Sequence, residues 1–247
     1  MKVAVVGAHG RMGATVVQAV NNAPDLELVA QLDAADAISA QSLNGAEVAV
    51  EFTVPSQTDD NVHALLDAGV HVVVGTTGWT PERLARVHEH ARQLGKGVLI
   101  APNFSISAVL VMHFAKQAAA HFESVEIIEL HHPNKVDAPS GTAVSTAKGI
   151  AEVRAAAGMS PCPDATESDP LGARGAVIDG INVHAVRLRG LNAHEEVVFG
   201  NPGEQLILRQ DSFDRESFMP GVLLAVRKVG ESSGLTVGLE SYLGLDG

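Results

Sequence analysis

Lys2-Val3-Ala4-Val5-Val6-Gly7-Ala8-His9-Gly10-Arg11-Met12-Gly13 opens the chain and decides how the rest is read. After Lys2 the first run has no polar residue and is rich in valine, as in a strand buried on both faces of a parallel sheet. A turn spaced G-x-x-G-x-x-G follows, then the helix-like Ala14 to Val20 and a second strand, Leu26 to Leu32, that ends at Asp33. Glycines at such a turn let backbone N–H groups approach a pyrophosphate at a helix N-terminus. An acid about 20 residues further on accepts hydrogen bonds from the adenosine ribose. The spacing departs from G-x-G-x-x-G, so the context of strand, turn, helix, strand and acid carries the inference. Gly7, Ala8, His9, Gly10, Arg11, Met12 and Asp33 are therefore expected to bind a dinucleotide.

Outward from this stretch the α/β rhythm continues. Strands are expected at Glu47 to Thr53, His71 to Val74 and Val98 to Ile100, with helices at Ser56 to Ala68 and Thr80 to Leu94. Pro81 stands in the first turn of the latter, a favoured place for proline. Parallel strands bind ligands beyond their C-terminal ends. Gly75, Thr76 and Thr77 after one strand, and Ala101, Pro102, Asn103 and Phe104 after the next, are thus expected beside the nicotinamide half. An apolar helix from Ser105 to Phe122 leads out of this domain, with His113 a packed residue on it.

The second half has a different rhythm. Ser124 to Leu130 reads as a strand, about Thr142 to Ala157 as a helix, and Gly158 to Gly175 as a polar loop. Ile181 to Arg189, Glu195 to Phe199 and Gln205 to Arg209 follow as strands separated by glycine-containing turns such as Asn201-Pro202-Gly203. A helix from Asp211 to Val229 is expected to pack back on the first domain, and the tail Gly234 to Leu245 to cover a surface or an interface. The fold class is α/β: a Rossmann-like parallel-sheet dinucleotide domain plus an α+β substrate and oligomerisation domain with a mixed open sheet. The expected ranges are 1–105 and 214–247 for the first, and 106–213 for the second.

The chain has 247 residues, of which 46% are hydrophobic and 19% charged, enough for a sizeable core. A formal net charge of -12 argues against nucleic acid or an anionic membrane as partner. No apolar run approaches the roughly 20 residues that span a bilayer, and the N-terminus carries no secretory pattern. The single cysteine, Cys162, forms no internal disulfide. A cytoplasmic protein is expected.

The chemistry is expected between Glu129 and Thr142, where His131, His132, Lys135 and Asp137 precede Pro139-Ser140-Gly141-Thr142. Titratable side chains at a strand end, followed by free N–H groups at a helix start, can hold an anionic substrate and move its protons. Lys135 adds a point charge for the same anion. Adjacent histidines on a strand cannot easily aim at one ion, and no third ligand stands at zinc spacing, so no metal site is expected.

These residues also carry a resemblance. H-H-x-x-K-x-D-A-P-S-G-T-A stands intact from His131 to Ala143, preceded by Glu129-Leu130. Together with Gly7 to Gly13, Glu51-Phe52-Thr53, Gly75 to Gly78, Ala101 to Phe104 and the segment from Ser217-Phe218 to Gly221, it makes the chain resemble the 4-hydroxy-tetrahydrodipicolinate reductase (dihydrodipicolinate reductase) family from Val3 to about Val229. The resemblance implies an NAD(P)H-dependent reductase of a cyclic dicarboxylate in diaminopimelate and lysine biosynthesis, usually a homotetramer. It implies His131 as the acid/base residue and Lys135 as the group that donates or positions a proton. His132, Ser140, Gly141 and Thr142 would bind the substrate, with hydride arriving from the other domain.

Two departures stand out. Many members carry G-E-H where this chain has Ala193-His194-Glu195, so His194 and Glu195 receive no role. Arg187 can reach the substrate pocket, but strand arginines are usually solvated, so it too receives no role. Asp33 is followed by Ala34 and Ala35, with no arginine to meet a 2′-phosphate, which favours NADH. His9 and Arg11 can still attract NADPH, so use of both NADH and NADPH is expected.

Overall fold

The computed structural model describes residues 1–245, and the last two residues of the expected range 214–247 lie outside the described residues. The chain divides into two compact units: Met1–Ile106 with the chain from Arg215 onward, and Ser107–Asp214. In chain order the first unit supplies β1 (Lys2–Val6), α1 (Arg11–Asn22), β2 (Glu27–Leu32), β3 (Val48–Glu51), α2 (Thr58–Asp67), β4 (His71–Val74), α3 (Pro81–Gln93) and β5 (Gly97–Ile100). Then come α4 (Ile106–Ala118), β6 (Ser124–His131), α5 (Gly141–Ala156), β7 (Ala176–Ile178), β8 (Ile181–Arg187), β9 (Ala193–Asn201) and β10 (Glu204–Ser212). The chain ends in α6 (Met219–Lys228) and β11 (Gly234–Val237), with short 3-10 turns around them.

The first unit is a six-stranded sheet in the order β11-β5-β4-β3-β1-β2, and all its pairings are parallel. Its central strands are buried on both faces, which is why they read as unbroken apolar runs. Ala4, Val6, Ala49, Val72 and Val74 belong to the cluster that includes Leu65 and Leu66 of α2 and Val87 of α3. Parallel pairing places the C-terminal ends of β1, β3, β4 and β5 along one edge, so the loops after them share that edge.

The second unit is a mixed five-stranded sheet, β10-β9-β6-β8-β7, in which only β6 and β8 run parallel. Its strands alternate, because one face packs on helices: Val125, Ile127, Val183, Val197 and Phe199 are buried with Ala143, Ala147 and Ile150 of α5.

Three expectations need correction. The tail is not merely a cover: Gly234 to Val237 forms β11, the edge strand paired with β5. The polar loop is followed by the unforeseen strand β7, turned into β8 through Asp179 and Gly180, whose φ angles are 48° and 86°. Asp-Gly supplies the two positive-φ residues that a tight hairpin needs. The last helix starts later than Asp211, because Asp211 and Ser212 still pair with His194 and Ala193 in the sheet.

Candidate active site

The first candidate region lies at the loop edge of the parallel sheet. Gly7 has φ +82°, and a Cβ there would overlap the Phe52 carbonyl, while a Cβ on Gly13 would overlap the carbonyl of Gly7. Only glycine permits this tight strand-to-helix turn. Asp33 stands beside it: Oδ1 accepts from the Ala34 N–H at 2.8 Å and Oδ2 from the His9 N–H at 3.0 Å. These bonds hold its carboxyl below the usual range. Gly7, Gly10 and Asp33 line a cavity of about 460 Å³ together with Asp36, Phe52, Thr53 and Asn61.

Of the other residues expected to hold a dinucleotide, Ala8 is buried under the turn, Met12 is half-buried, and His9 and Arg11 are exposed beside it. The later loops are not on the wall of this cavity but touch its lining. The Gly75 backbone packs on the Phe52 ring, and Thr76 Oγ1 accepts from the Thr53 N–H at 2.8 Å. Phe104 packs against Phe52 with ring centroids 5.7 Å apart and planes tilted by 53°, while Asn103 Oδ1 accepts from the Ser105 N–H; Thr77 and Pro102 are exposed and Ala101 is buried. Beneath them Glu51, fully buried, accepts from Thr58 Oγ1 at 2.8 Å, from Thr53 Oγ1 and from Asn61 Nδ2. A glycine cradle, an acid at the end of β2 and a cavity between them fit a dinucleotide.

The second region is built on β6. Strand alternation sets Glu129 on the same inward face as Val125 and Ile127, so an acid occupies the core stripe and is 0% exposed. It is met on every side. His131 Nδ1 lies 2.6 Å from Oε2, Arg187 Nη1 and Nη2 donate to Oε2 and Oε1 at 2.7 Å each, and the Ser140 N–H donates to Oε1 at 3.0 Å. Burial pushes the Glu129 carboxyl up, but Arg187 and His131 together outweigh it, and the net shift is down. His131 moves down as well, because burial outweighs the pull of Glu129. The bond from Nδ1 to Glu129 leaves Nε2 as the nitrogen free for proton exchange.

Lys135 Nζ lies 2.8 Å from Asp137 Oδ1. Lys135, with a weaker contribution from the Gly141 N–H, holds the Asp137 carboxyl below the usual range. A carboxylate is thus already drawn toward an ammonium and a helix start at this place. Ser140 caps α5, its Oγ accepting from the Ala143 N–H at 3.1 Å, so its side chain and its N–H are both engaged within the protein. Gly141 is exposed and Thr142 half-exposed at the first turn. His132 Nδ1 is buried with no partner among the described residues.

Arg187, given no role from the sequence, forms the bidentate pair with Glu129 and also donates to the Asp137 carbonyl at 2.8 Å. One signal of this pair is legible in the sequence, Glu129 on the apolar stripe; the other, Arg187 opposite His131, emerges only with the β6–β8 register. His194 is buried, with Nε2 accepting from the Asn192 N–H and Nδ1 2.6 Å from Asp211 Oδ1. It closes the β9–β10 end. Among the described residues, no group of three or more His, Cys, Asp or Glu is placed to hold a metal ion, and no helix is long and apolar enough to cross a membrane.

Residues 1–104 match the family model described as dihydrodipicolinate reductase, N-terminus, and residues 107–243 match that of its C-terminus. The chain is 62% identical over 246 residues to a 4-hydroxy-tetrahydrodipicolinate reductase of Beutenbergia cavernae, covering 99% of each chain. It is also 62% identical over 251 residues to the protein of the same name from Bifidobacterium longum, covering 99% of this chain and 100% of the relative. Among solved structures, the dipicolinate-bound dihydrodipicolinate reductase from Paenisporosarcina sp. TG-14 superposes with a TM-score of 0.87 at 40% identity, with 98% of each chain covered.

The Glu129 cluster has a testable pH signature. Its folded pKa lies below the ordinary 4.5, so its stabilisation is present above pH 4.5 and is lost as pH falls through the folded value. Glu129→Gln should cost about 3 kcal/mol at neutral pH by leaving Arg187 without a counter-charge. Urea unfolding across pH should show the gap between wild type and variant shrinking below pH 4.5. A gap that is constant with pH would contradict the assignment.

Proposed function

Because the chain belongs to the dihydrodipicolinate reductase family, we propose that it reduces 4-hydroxy-tetrahydrodipicolinate to tetrahydrodipicolinate with NAD(P)H, in diaminopimelate and lysine biosynthesis, and that His131 and Lys135 handle the protons. The observation that carries the site assignment is the Glu129 carboxylate, which holds both the His131 ring and the backbone at the start of α5. A proton-exchanging group and an anion-binding turn are thereby fixed to one buried charge.

Net reduction requires loss of the 4-hydroxyl as water and addition of a hydride and a proton across the resulting conjugated double bond. The nicotinamide, when bound, supplies the hydride. His131, kept neutral by burial, exchanges protons through Nε2 while Glu129 stabilises the imidazolium that forms. Lys135 brings a positive charge to the ring carboxylates, where it offsets negative charge built up before protonation, and it can deliver the proton itself. Gly141 and Thr142 offer the N–H groups of a helix start to one carboxylate, with Ser140 shaping the turn as its cap. The unpartnered His132 Nδ1 supports a role in binding the dicarboxylate.

Both cofactors are proposed to serve. The acids Asp33 and Asp36 on the cavity wall favour a ribose diol, whereas exposed Arg11 offers positive charge, and exposed His9 a ring nitrogen, to a 2′-phosphate. A homotetramer built on the second unit is also proposed. Val177, Asn182, Glu126, Val198 and Ile207 form one row across the sheet face opposite the helices, with Val177 66% and Ile207 52% exposed. A light-scattering mass of one chain would contradict the tetramer.

With enzymatically generated substrate, loss of nicotinamide absorbance should report turnover. His131→Ala and Lys135→Ala should each lower kcat by about 10²-fold or more while leaving NADH affinity nearly unchanged. Near-wild-type turnover in both would overturn these roles. The kcat/KM values for NADH and NADPH should differ by less than about 100-fold; a larger bias either way would rule out dual use.

A further inference from the structure

Glu195 lies in β9 directly opposite Glu129 of β6 and Gln210 of β10, and is 3% exposed. Its Oε1 is 2.7 Å from Thr146 Oγ1, one turn into α5, and its Oε2 has no partner among the described residues. Thr146 Oγ1 also lies 3.0 Å from the Thr142 carbonyl. A hydroxyl carries one hydrogen and cannot donate it to both oxygens.

A proton on Glu195 resolves this. The carboxylic acid then donates to Thr146 Oγ1, and Thr146 passes its own hydrogen to the Thr142 carbonyl. Ionised, Glu195 would claim the Thr146 hydrogen, leave a charged oxygen buried without a donor, and face a second carboxylate across the strand pair. The groups packed against it are Glu129 from β6, the uncharged Gln210 from β10 and Thr146 from α5. His131 and Arg187 stand beyond Glu129 and are bonded to it.

We propose that Glu195 is a positioning residue that works as a buried carboxylic acid. Its proton maintains the Thr146–Thr142 link at the start of α5 and leaves Glu129 as the only charged member of the cross-strand carboxyl pair. Ionisation of Glu195 loosens that turn and repels the dicarboxylate. Burial, aided by Glu129 and opposed by the Thr146 hydroxyl, pushes its carboxyl up to about 7, so the change falls near neutral pH. The effect on substrate rests on the proposed role of Gly141 and Thr142; the protonation of Glu195 does not.

Two measurements separate these. Without substrate, thermal unfolding of wild type and Glu195→Gln is followed from about pH 5 to about pH 8. The folded wild type keeps a proton that the unfolded chain has lost above 4.5. Its Tm should therefore fall relative to that of the variant as pH rises toward 7. Parallel curves would overturn the protonation claim. With substrate, the wild-type KM for the dicarboxylate should rise roughly tenfold between about pH 6 and about pH 8, with little change in kcat, whereas the Glu195→Gln KM stays flat. Equal pH dependence in both would overturn the coupling to binding. Wild type without turnover at any pH would sink the reductase reading and this coupling, with the unfolding curves still deciding protonation. If Glu195→Gln does not fold, Thr146→Val should show at pH 6 the KM that wild type reaches at pH 8; an unchanged KM would count against the link.

Discussion

A carboxylate removed from water is stable only where donors surround it, and Glu129 has four: His131 Nδ1, both terminal nitrogens of Arg187 and the Ser140 N–H. They come from β6 itself, from the end of β8 and from the start of α5. One buried charge therefore orients an imidazole, draws an arginine out of solvent and pins a helix start. The segment from Pro133 to Pro139 can be polar and largely exposed because its two ends are anchored at that carboxylate. The chemistry assigned to His131, Lys135 and the α5 turn depends on this anchoring, since a loop alone would not hold three groups in register.

The first unit uses a related device with different partners. Glu51, at the end of β3, is as fully buried as Glu129, but its donors are the hydroxyls of Thr53 and Thr58 and the amide of Asn61. It shapes the wall of the cavity beside Asp33 and the glycine turn. The sheet orders the loops by a simpler rule: its parallel strands deliver all their C-terminal ends to one edge, and glycine allows the backbone to close there.

Much of this could be read in the sequence. Valine-rich runs ending in glycine or acid marked the parallel strands, and the stretch from His131 to Ala143 marked the candidate site through its chemistry and its family motif. Three features escaped because they depend on pairing between distant segments. Leu235 and Val237 look like a loose tail until β5 is present to receive them. Arg187 looks like any strand arginine until the β6–β8 register sets it across from His131. Glu195 lies outside the motif from His131 to Ala143, and its meaning emerges only when Glu129 and Thr146 stand on either side. Local periodicity shows which face a residue takes; it does not show what waits on that face.

The central claim is that the Glu129 charge couples proton transfer to anion binding. It is tested most directly by steady-state kinetics of folded Glu129→Gln, a change that keeps shape and removes charge. The account predicts a kcat lowered by about 10²-fold or more and a raised KM for the cyclic dicarboxylate, with the KM for the nicotinamide cofactor unchanged. A folded variant with kcat within about threefold of wild type and an unaltered substrate KM would contradict it.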